Sequence, residues 1–403
     1  MLFGKKTHKD TSIPDCVISG AGIAGCLMAL ALAKDGLFVT LIERGNPPLK
    51  KVKKITNGHS AALMNRSIGL LKDLDIWDDI AKLCAPLSCL QVIDAAQDPA
   101  EYFPFEASEI DEDIFGYNIP NDVLHSHLLV AVSKNKQIDY RHKTTIQKVE
   151  NHTAKSCITL DDGTQITAPL LIAAEGRNSP LRQWAEIDVS TKAYDQSALT
   201  FIISHEKSHK NTSTEIQRPG GVLTFVPLPE HNKSTVVFID TKARIERAKS
   251  MEQKDLTLHL HNLSQDLLGA FKIESEVKDW PLMTLKARSY GQSRVALIAE
   301  SAHVLSPVGA QGLNLSIRDI LALRDLIKEY RYTGQDIGSD ILLKAYDRQR
   351  KRDIAKRFYG VDGLHSMIRH DEKLPHILRR TGLKLVHKTP LLRRFLMRQG
   401  MAA

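Results

Sequence analysis

The ends of this chain alternate short apolar runs with helical patterns, whereas its middle strings extended runs together. Cys16-Val17-Ile18-Ser19 reads as a strand, followed by a glycine turn, an alanine- and leucine-rich helix to about Lys34, a stop at Gly36, and a second strand from Leu37 to Ile42. A helix is predicted from about Ser60 to Asp73, and another behind a cap at Asn121 or Asp122, where Leu124, Leu128, Leu129 and Val132 recur at helical spacing. Strands return at 144–149 and 157–160, with Asp161-Asp162-Gly163 as the hairpin turn. The run Leu170-Leu171-Ile172-Ala173-Ala174 is apolar throughout, as expected of a strand buried on both faces, and Arg294 to Ala299 repeats that pattern. Between residues 183 and 285 strands at 198–204, 222–227 and 235–240 follow one another without helices, which predicts an antiparallel sheet. A helix is expected only afterwards, at about 251–268.

The first turn carries the clearest chemistry. Gly20-Ala21-Gly22-Ile23-Ala24-Gly25 sits between a strand and a helix, and Glu43 ends the next strand 18 residues after Gly25. Gly20 suits a tight turn, Gly22 lets backbone N–H groups approach a diphosphate, and Gly25 lets the helix pack close. The helix N-terminus offers unpaired donors to the phosphates, and Glu43 can accept from a ribose diol. An acid at that place favours FAD or NAD over NADP. A second junction of strand, glycines and helix follows at Glu300-Ser301-Ala302-His303, then Pro307, Gly309, Gln311, Gly312 and Asn314. Two distant segments thus converge on one ligand in this reading.

Bulk properties narrow the class. The 403 residues suffice for two or three domains. No apolar run reaches the roughly 18 to 20 residues of a membrane-spanning helix, and Met1 to Pro14 lacks an apolar signal core, so a cytoplasmic protein is expected. Five scattered cysteines predict neither a disulfide nor a metal site. The net charge of +8 resides in the tail, because residues 373–403 hold eight Lys/Arg and no acid. Leu391, Leu392, Phe395 and Leu396 share one arc of a helix there and Arg393, Arg394 and Arg398 the opposite arc. Such a helix either rests on anionic lipid or caps the protein's own core. Aromatic interleaving is nearly absent, which argues against nucleic acid.

Three stations together, the glycine turn, Ala174-Glu175-Gly176-Arg177-Asn178-Ser179 with Arg182, and Ala302-His303 through Asn314 to Asp319, resemble the flavoprotein aromatic hydroxylases of the para-hydroxybenzoate hydroxylase type. Within them the likeness is to the ubiquinone-biosynthesis hydroxylases, suggested by Tyr194-Asp195-Gln196, Phe225-Val226-Pro227-Leu228, Asp362-Gly363-Leu364 and Thr381-Gly382-Leu383. The resemblance implies an α/β fold: a Rossmann-like FAD-binding domain (1–83, 115–182 and 286–360), an inserted antiparallel β-sheet substrate domain (84–114 and 183–285) and a basic helical C-terminal region (361–403). It also implies one FAD per chain, held by Gly20, Gly22, Gly25, Glu43, Arg44, His59, Glu175, Glu300, Pro307, Gly309, Gln311, Gly312, Leu313 and Asn314. NAD(P)H would be the electron donor, a flavin C4a-hydroperoxide the oxygenating species, and a polyprenylated phenol the substrate. Anionic membrane and other quinone-biosynthesis proteins are the implied partners, with a peripheral position on the inner face of the cytoplasmic membrane. No catalytic residue is assigned; His303 is a candidate acid–base group or a packed histidine that orients the loop, and Pro307 lines the flavin.

The chain departs from the family pattern at His59, where arginine is usual, at Glu175 for aspartate, at Ala299-Glu300-Ser301 for Gly-Asp-Ala, and at Gly309-Ala310, whose order is reversed. These departures leave two other readings open: a different flavin enzyme of the same fold, such as a prenyl-lipid reductase, and a non-catalytic subunit of a quinone-synthesis complex.

Overall fold

The structure, a computed structural model, describes residues 13–53, 55–306, 312–369 and 373–401. Among the described residues two large sheets stand side by side, each with its own apolar core. The first is six-stranded, ordered Gly291–Gln292, Val295–Leu297, Leu170–Ala173, Cys16–Ser19, Val39–Glu43 and Ile138–His142. All its pairs are parallel except the Gly291–Gln292 hairpin. The central strands are apolar throughout because helices cover both faces; Cys16, Val17, Leu171 and Ala296 are fully buried. The helix Ile23–Lys34 is buried almost all round, so its alanines and leucines make close packing and leave no polar face.

The second sheet is nine-stranded, running from His303–Val304 through Lys278–Ala287, Val189–His205, Lys233–Thr241, Gly221–Pro227, Thr212–Arg218 and Cys89–Asp94 to Glu101–Glu106, with Phe271–Ile273 paired to the end of Val189–His205. It is antiparallel as expected, with one exception: Thr212–Arg218 pairs in parallel with Cys89–Asp94, which arrives from far upstream in the chain. Leu199, Phe201, Ile203, Phe225, Val236 and Phe238 point to one face, under the helices Lys242–Lys249 and Gln253–Leu263. The opposite face carries Tyr194, Ala198, Val222, Ile239 and Leu282 and meets the segment at His59 and Ser60 through Trp280 and Thr235. There Gly58 packs so closely on the Phe201 backbone that a Cβ would approach it to 2.5 Å, and the Asn118 amide donates to the Pro227 carbonyl at 2.8 Å.

Several expected elements differ. Residues 60–73 are a strand, Ser60–Met64, before the helix Asn65–Asp73; the strand pairs with Gly116–Pro120, a partner that local helix propensity does not reveal. The helix at Asn121–Lys134 is capped by Pro120, neither Asn121 nor Asp122. A helix at 242–249 precedes the expected one. Cys16, Cys26 and Cys84 are buried, while Cys89 and Cys157 are half-buried.

The C-terminal helices Lys373–Lys388 and Pro390–Met401 strap the outer edge of the second sheet. Arg379 and Asp94 form a fully enclosed ion pair at 2.6 Å, Arg380 and Lys384 hold Glu101, and Arg393 holds Glu109 and the Pro104 carbonyl. Of the arc Arg393, Arg394 and Arg398, then, Arg393 faces the protein while Arg394 and Arg398 are exposed. Leu391, Phe395 and Leu396 face solvent, so they do not cap the core; Met397 of that helix is buried, beside Ala107, Ile110 and Phe115.

Candidate functional site

Gly20, Glu43, Glu175 and Ala299 lie at the carboxyl ends of four neighbouring strands of the six-stranded sheet, which is where open parallel sheets bind ligands. Gly20 has φ +100°, and a Cβ there would meet the Ala174 carbonyl oxygen at 2.4 Å. At Gly25 a Cβ would lie 1.8 Å from the Gly20 oxygen, so the turn closes only with glycine at both places. Gly22 is the opposite case: it caps the helix, and a Cβ would meet nothing within 4 Å. The first turn beyond it has neither an acid nor a side-chain cap, so its N–H groups remain available to an anion. Glu43 accepts from the Ala21 N–H at 2.8 Å and the Gly45 N–H at 2.7 Å, and retains lone pairs for a diol. The Arg44 side chain is exposed and has no partner among the described residues.

The second station is bound into the scaffold. Glu175 accepts from Ser19 Oγ at 2.6 Å, from Ser179 Oγ and from the Leu181 N–H at 3.1 Å. Burial pushes its carboxyl above the usual range, against these donors. Its oxygens join the glycine-turn strand to the next helix through these three donors. Arg182, also buried, donates to the Ser301 and Arg177 carbonyls at 2.8 Å each.

At the third station Ala299 adopts a left-handed φ of +55°, and its N–H donates to Asp319 Oδ2 at 2.9 Å. Asp319, fully buried, also meets His303 Nε2 and Arg350 Nε, each at 2.7 Å. Glu300 next to Ala299 is exposed and unpartnered among the described residues. Asn314, expected to bind the cofactor, is buried and accepts from the Met64 N–H at 3.0 Å and Ser67 Oγ at 2.8 Å while donating to the Ala62 carbonyl at 2.7 Å. It fixes the start of the helix Gly312–Tyr332, on which Gly312 and Leu313 also lie. Pro307, Gly309 and Gln311 lie outside the described residues.

His59 stands with its ring edge-on to Trp280, centroids 4.3 Å apart, and its Nε2 is buried with no partner among the described residues. Burial first, then the nearby Lys278, hold its pKa below the usual histidine range, so the ring is neutral at pH 7. Both residues line a cavity of about 330 Å³ that opens on Ile23 at the glycine turn. His125, a residue to which the sequence attached no function, lines it too and contacts the Ala21 carbonyl at 2.7 Å through Nε2. Its helical spacing placed it near a neighbour but could not name the glycine turn. Lys278 and Trp280 carry no sequence signal at all, since only the docking of the second sheet brings them here.

A family model described as the FAD binding domain matches residues 14–362. The chain belongs to that FAD-binding family. FAD is its cofactor. The residues present fit that cofactor: an open cradle at Gly22, an orphaned buried ring nitrogen at His59, and side chains at Arg44 and Glu300 unpartnered among the described residues. Relatives of this FAD-binding protein span nearly all of it. Ubiquinone hydroxylase UbiM of Neisseria meningitidis is 28% identical over 396 residues, covering 96% of this chain and 84% of that protein. The 3-demethoxyubiquinol 3-hydroxylase of Escherichia coli is 28% identical over 389 residues, covering 96% and 97%. Solved structures support the fold alone: PqsL of Pseudomonas aeruginosa has a TM-score of 0.78 at 19% identity, covering 92% of this chain and 99% of that one. The p-nitrophenol 4-monooxygenase PnpA of Pseudomonas putida has a TM-score of 0.78 at 15% identity, covering 96% and 98%. Among the described residues no helix is long and apolar enough to cross a membrane, and no cluster of His, Cys, Asp or Glu has the makings of a metal site.

Proposed function

We propose that this protein hydroxylates the aromatic ring of a polyprenylated phenol in ubiquinone synthesis. The observation that supports this best is the arrangement at the sheet ends: the glycine turn, Glu43 and Ala299-Glu300 share one edge, and a cavity joins the glycine turn to Lys278 and Trp280 of the second sheet. Relatives that cover nearly the whole chain bear names of ubiquinone hydroxylases. In the balanced reaction one oxygen of O2 enters a ring C–H bond and the other leaves as water, with two electrons from a nicotinamide nucleotide.

Bound FAD supplies the redox and oxygen-activating chemistry. This chain's residues do the holding. The turn at Gly20 to Gly25 and the helix start behind it would take the diphosphate, Glu43 the adenosine ribose, and Glu300 the ribityl hydroxyls. The segment Pro307, Gly309, Gln311, Gly312 and Leu313 would lie along the isoalloxazine ring. The positive end of the helix Gly312–Tyr332 would stabilise negative charge that develops beside it. Glu175, Asn314, Arg182 and Asp319 would keep these segments in place through their contacts with the scaffold. Residues 84–114 and 183–285 form the substrate side, and the apolar wall excludes water from the ring being oxidised.

Such a substrate resides in a bilayer, and the strap at 373–403 offers a means of reaching it. Ile377, Leu378, Leu385, Leu391, Phe395 and Leu396 are exposed on it, so contact with lipid would rest on apolar insertion, with Lys388 and Arg394 as the cations left unpaired among the described residues. The protein would then work at the inner face of the cytoplasmic membrane beside other quinone-synthesis proteins. The test is a deletion strain: it should accumulate a polyprenylated quinone precursor short of one ring oxygen, and re-expression should remove it. Unchanged quinones in that strain would overturn the proposal.

A further inference from the structure

The cavity beside the glycine turn is walled by helices and a loop next to the first sheet and by one strand of the second. Ile23 begins the helix behind the turn; Asn57 and His59 come from the loop before the strand Ser60–Met64; Asn121, Asp122 and His125 come from the helix Asn121–Lys134; Lys278 and Trp280 come from the strand Lys278–Ala287 of the second sheet. Its charged groups are unequal in availability. The acid, Asp122, is occupied: it accepts from Asn57 Nδ2 at 3.1 Å, Thr56 Oγ1 at 3.3 Å and the Val123 N–H at 2.8 Å. The cation, Lys278, has no ion pair among the described residues. His59, neutral and with Nε2 buried and unpartnered, can donate from that nitrogen in one of its two tautomers. A half-buried ammonium, an idle imidazole donor and the open first turn of a helix together fit an anion with several acceptor oxygens.

We propose that Lys278, on the substrate-side sheet, supplies the positive charge for a dinucleotide's diphosphate at the glycine turn, while His59 donates to it from Nε2. The two residues divide the work, His59 contributing a hydrogen bond without charge and Lys278 contributing charge. The cofactor's diphosphate then ties the second sheet to the first, and binding of FAD fixes the wall that faces the substrate. The assignment rests on FAD being the cofactor. A nicotinamide nucleotide carries the same diphosphate, and the test separates the two.

The experiment titrates FAD into the apoprotein, followed by flavin fluorescence, for wild type, Lys278→Met, Lys278→Arg and His59→Phe, with NADH and NADPH titrated into each loaded protein. Lys278 is half-buried and unpartnered, so its variants should unfold at the wild-type temperature when apo. Lys278→Met should weaken FAD about tenfold or more, Lys278→Arg should restore most of that, and added salt should narrow the gap. His59→Phe should weaken FAD with little dependence on salt. FAD affinity unchanged in Lys278→Met would overturn the proposal. Weakened NADH or NADPH with unchanged FAD would transfer the site to the nicotinamide nucleotide and overturn it equally. Wild type that takes up no FAD would refute the cofactor itself, an outcome distinct from either.

Discussion

Nε2 of His303 lies 2.7 Å from Oδ2 of Asp319, with both side chains enclosed in the protein. Burial alone would raise the Asp319 carboxyl, but His303 and Arg350 outweigh it and hold the pKa below the usual range. The same oxygen takes the Ala299 N–H, so this pair sets the backbone from which Glu300 projects. This geometry favours His303 as a positioning residue, and the choice between that and an acid–base role is open to test.

Replacing His303 by Ala strips one partner from a buried carboxylate and should cost about 3 kcal/mol of stability. Turnover per folded molecule should keep its wild-type pH profile. Because the folded pKa of Asp319 is depressed, its contribution to stability is present above the unfolded value, about 3.9, and is lost as pH falls below that. Urea unfolding and a pH–rate profile check both; intact stability with an altered profile would make His303 an acid–base group.

Ala299 holds a left-handed φ of +55°, a conformation that costs a residue with a Cβ roughly 1 kcal/mol. Ala299→Gly removes that strain but adds freedom to the unfolded chain, so a net gain of up to about 1 kcal/mol is expected. The melting temperature should rise, and a fall would show that the Ala299 methyl packs better than the turn is strained.

The Glu175 carboxyl is raised by burial in spite of its hydrogen bonds. A raised folded pKa means that the protonated form's contribution to stability is complete below the unfolded value, about 4.3, and is lost as pH climbs through the folded one. Wild type should thus lose stability relative to Glu175→Gln on going from acid to neutral pH. Parallel unfolding curves for the two proteins would contradict this.

The Arg379–Asp94 pair lies at the junction of tail and sheet, with each side chain about 2% exposed. Arg379→Ala leaves Asp94 buried without its cation and should cost about 3 to 5 kcal/mol. Proteolysis should then release the strap from the Cys89–Asp94 and Glu101–Glu106 edge, whereas an unchanged digestion pattern would refute the clasp.

The glycine turn was legible because each of its requirements is local: a strand, a turn that admits no Cβ at Gly20 and Gly25, a helix, and Glu43. The strand Ser60–Met64 was not, since Ala61, Ala62 and Leu63 favour a helix and only pairing with Gly116–Pro120 makes them extended. Glu175 and Asn314 were marked as important by the family pattern, but their type cannot say whether the oxygens meet a ligand or the scaffold. The amphipathic tail was evident, yet an arc of arginines does not disclose that Asp94, Glu101 and Glu109 wait for it on a distant edge. Lys278 beside His59 depends wholly on the docking of two sheets.

The most direct test follows the oxygen. The purified protein, loaded with FAD and given NADH or NADPH, a polyprenylated phenol and isotopically heavy O2, should yield a product whose aromatic ring carries one heavy oxygen. A product with no heavy oxygen in its ring, or with its prenyl double bonds reduced instead, would contradict the assignment as a ring hydroxylase.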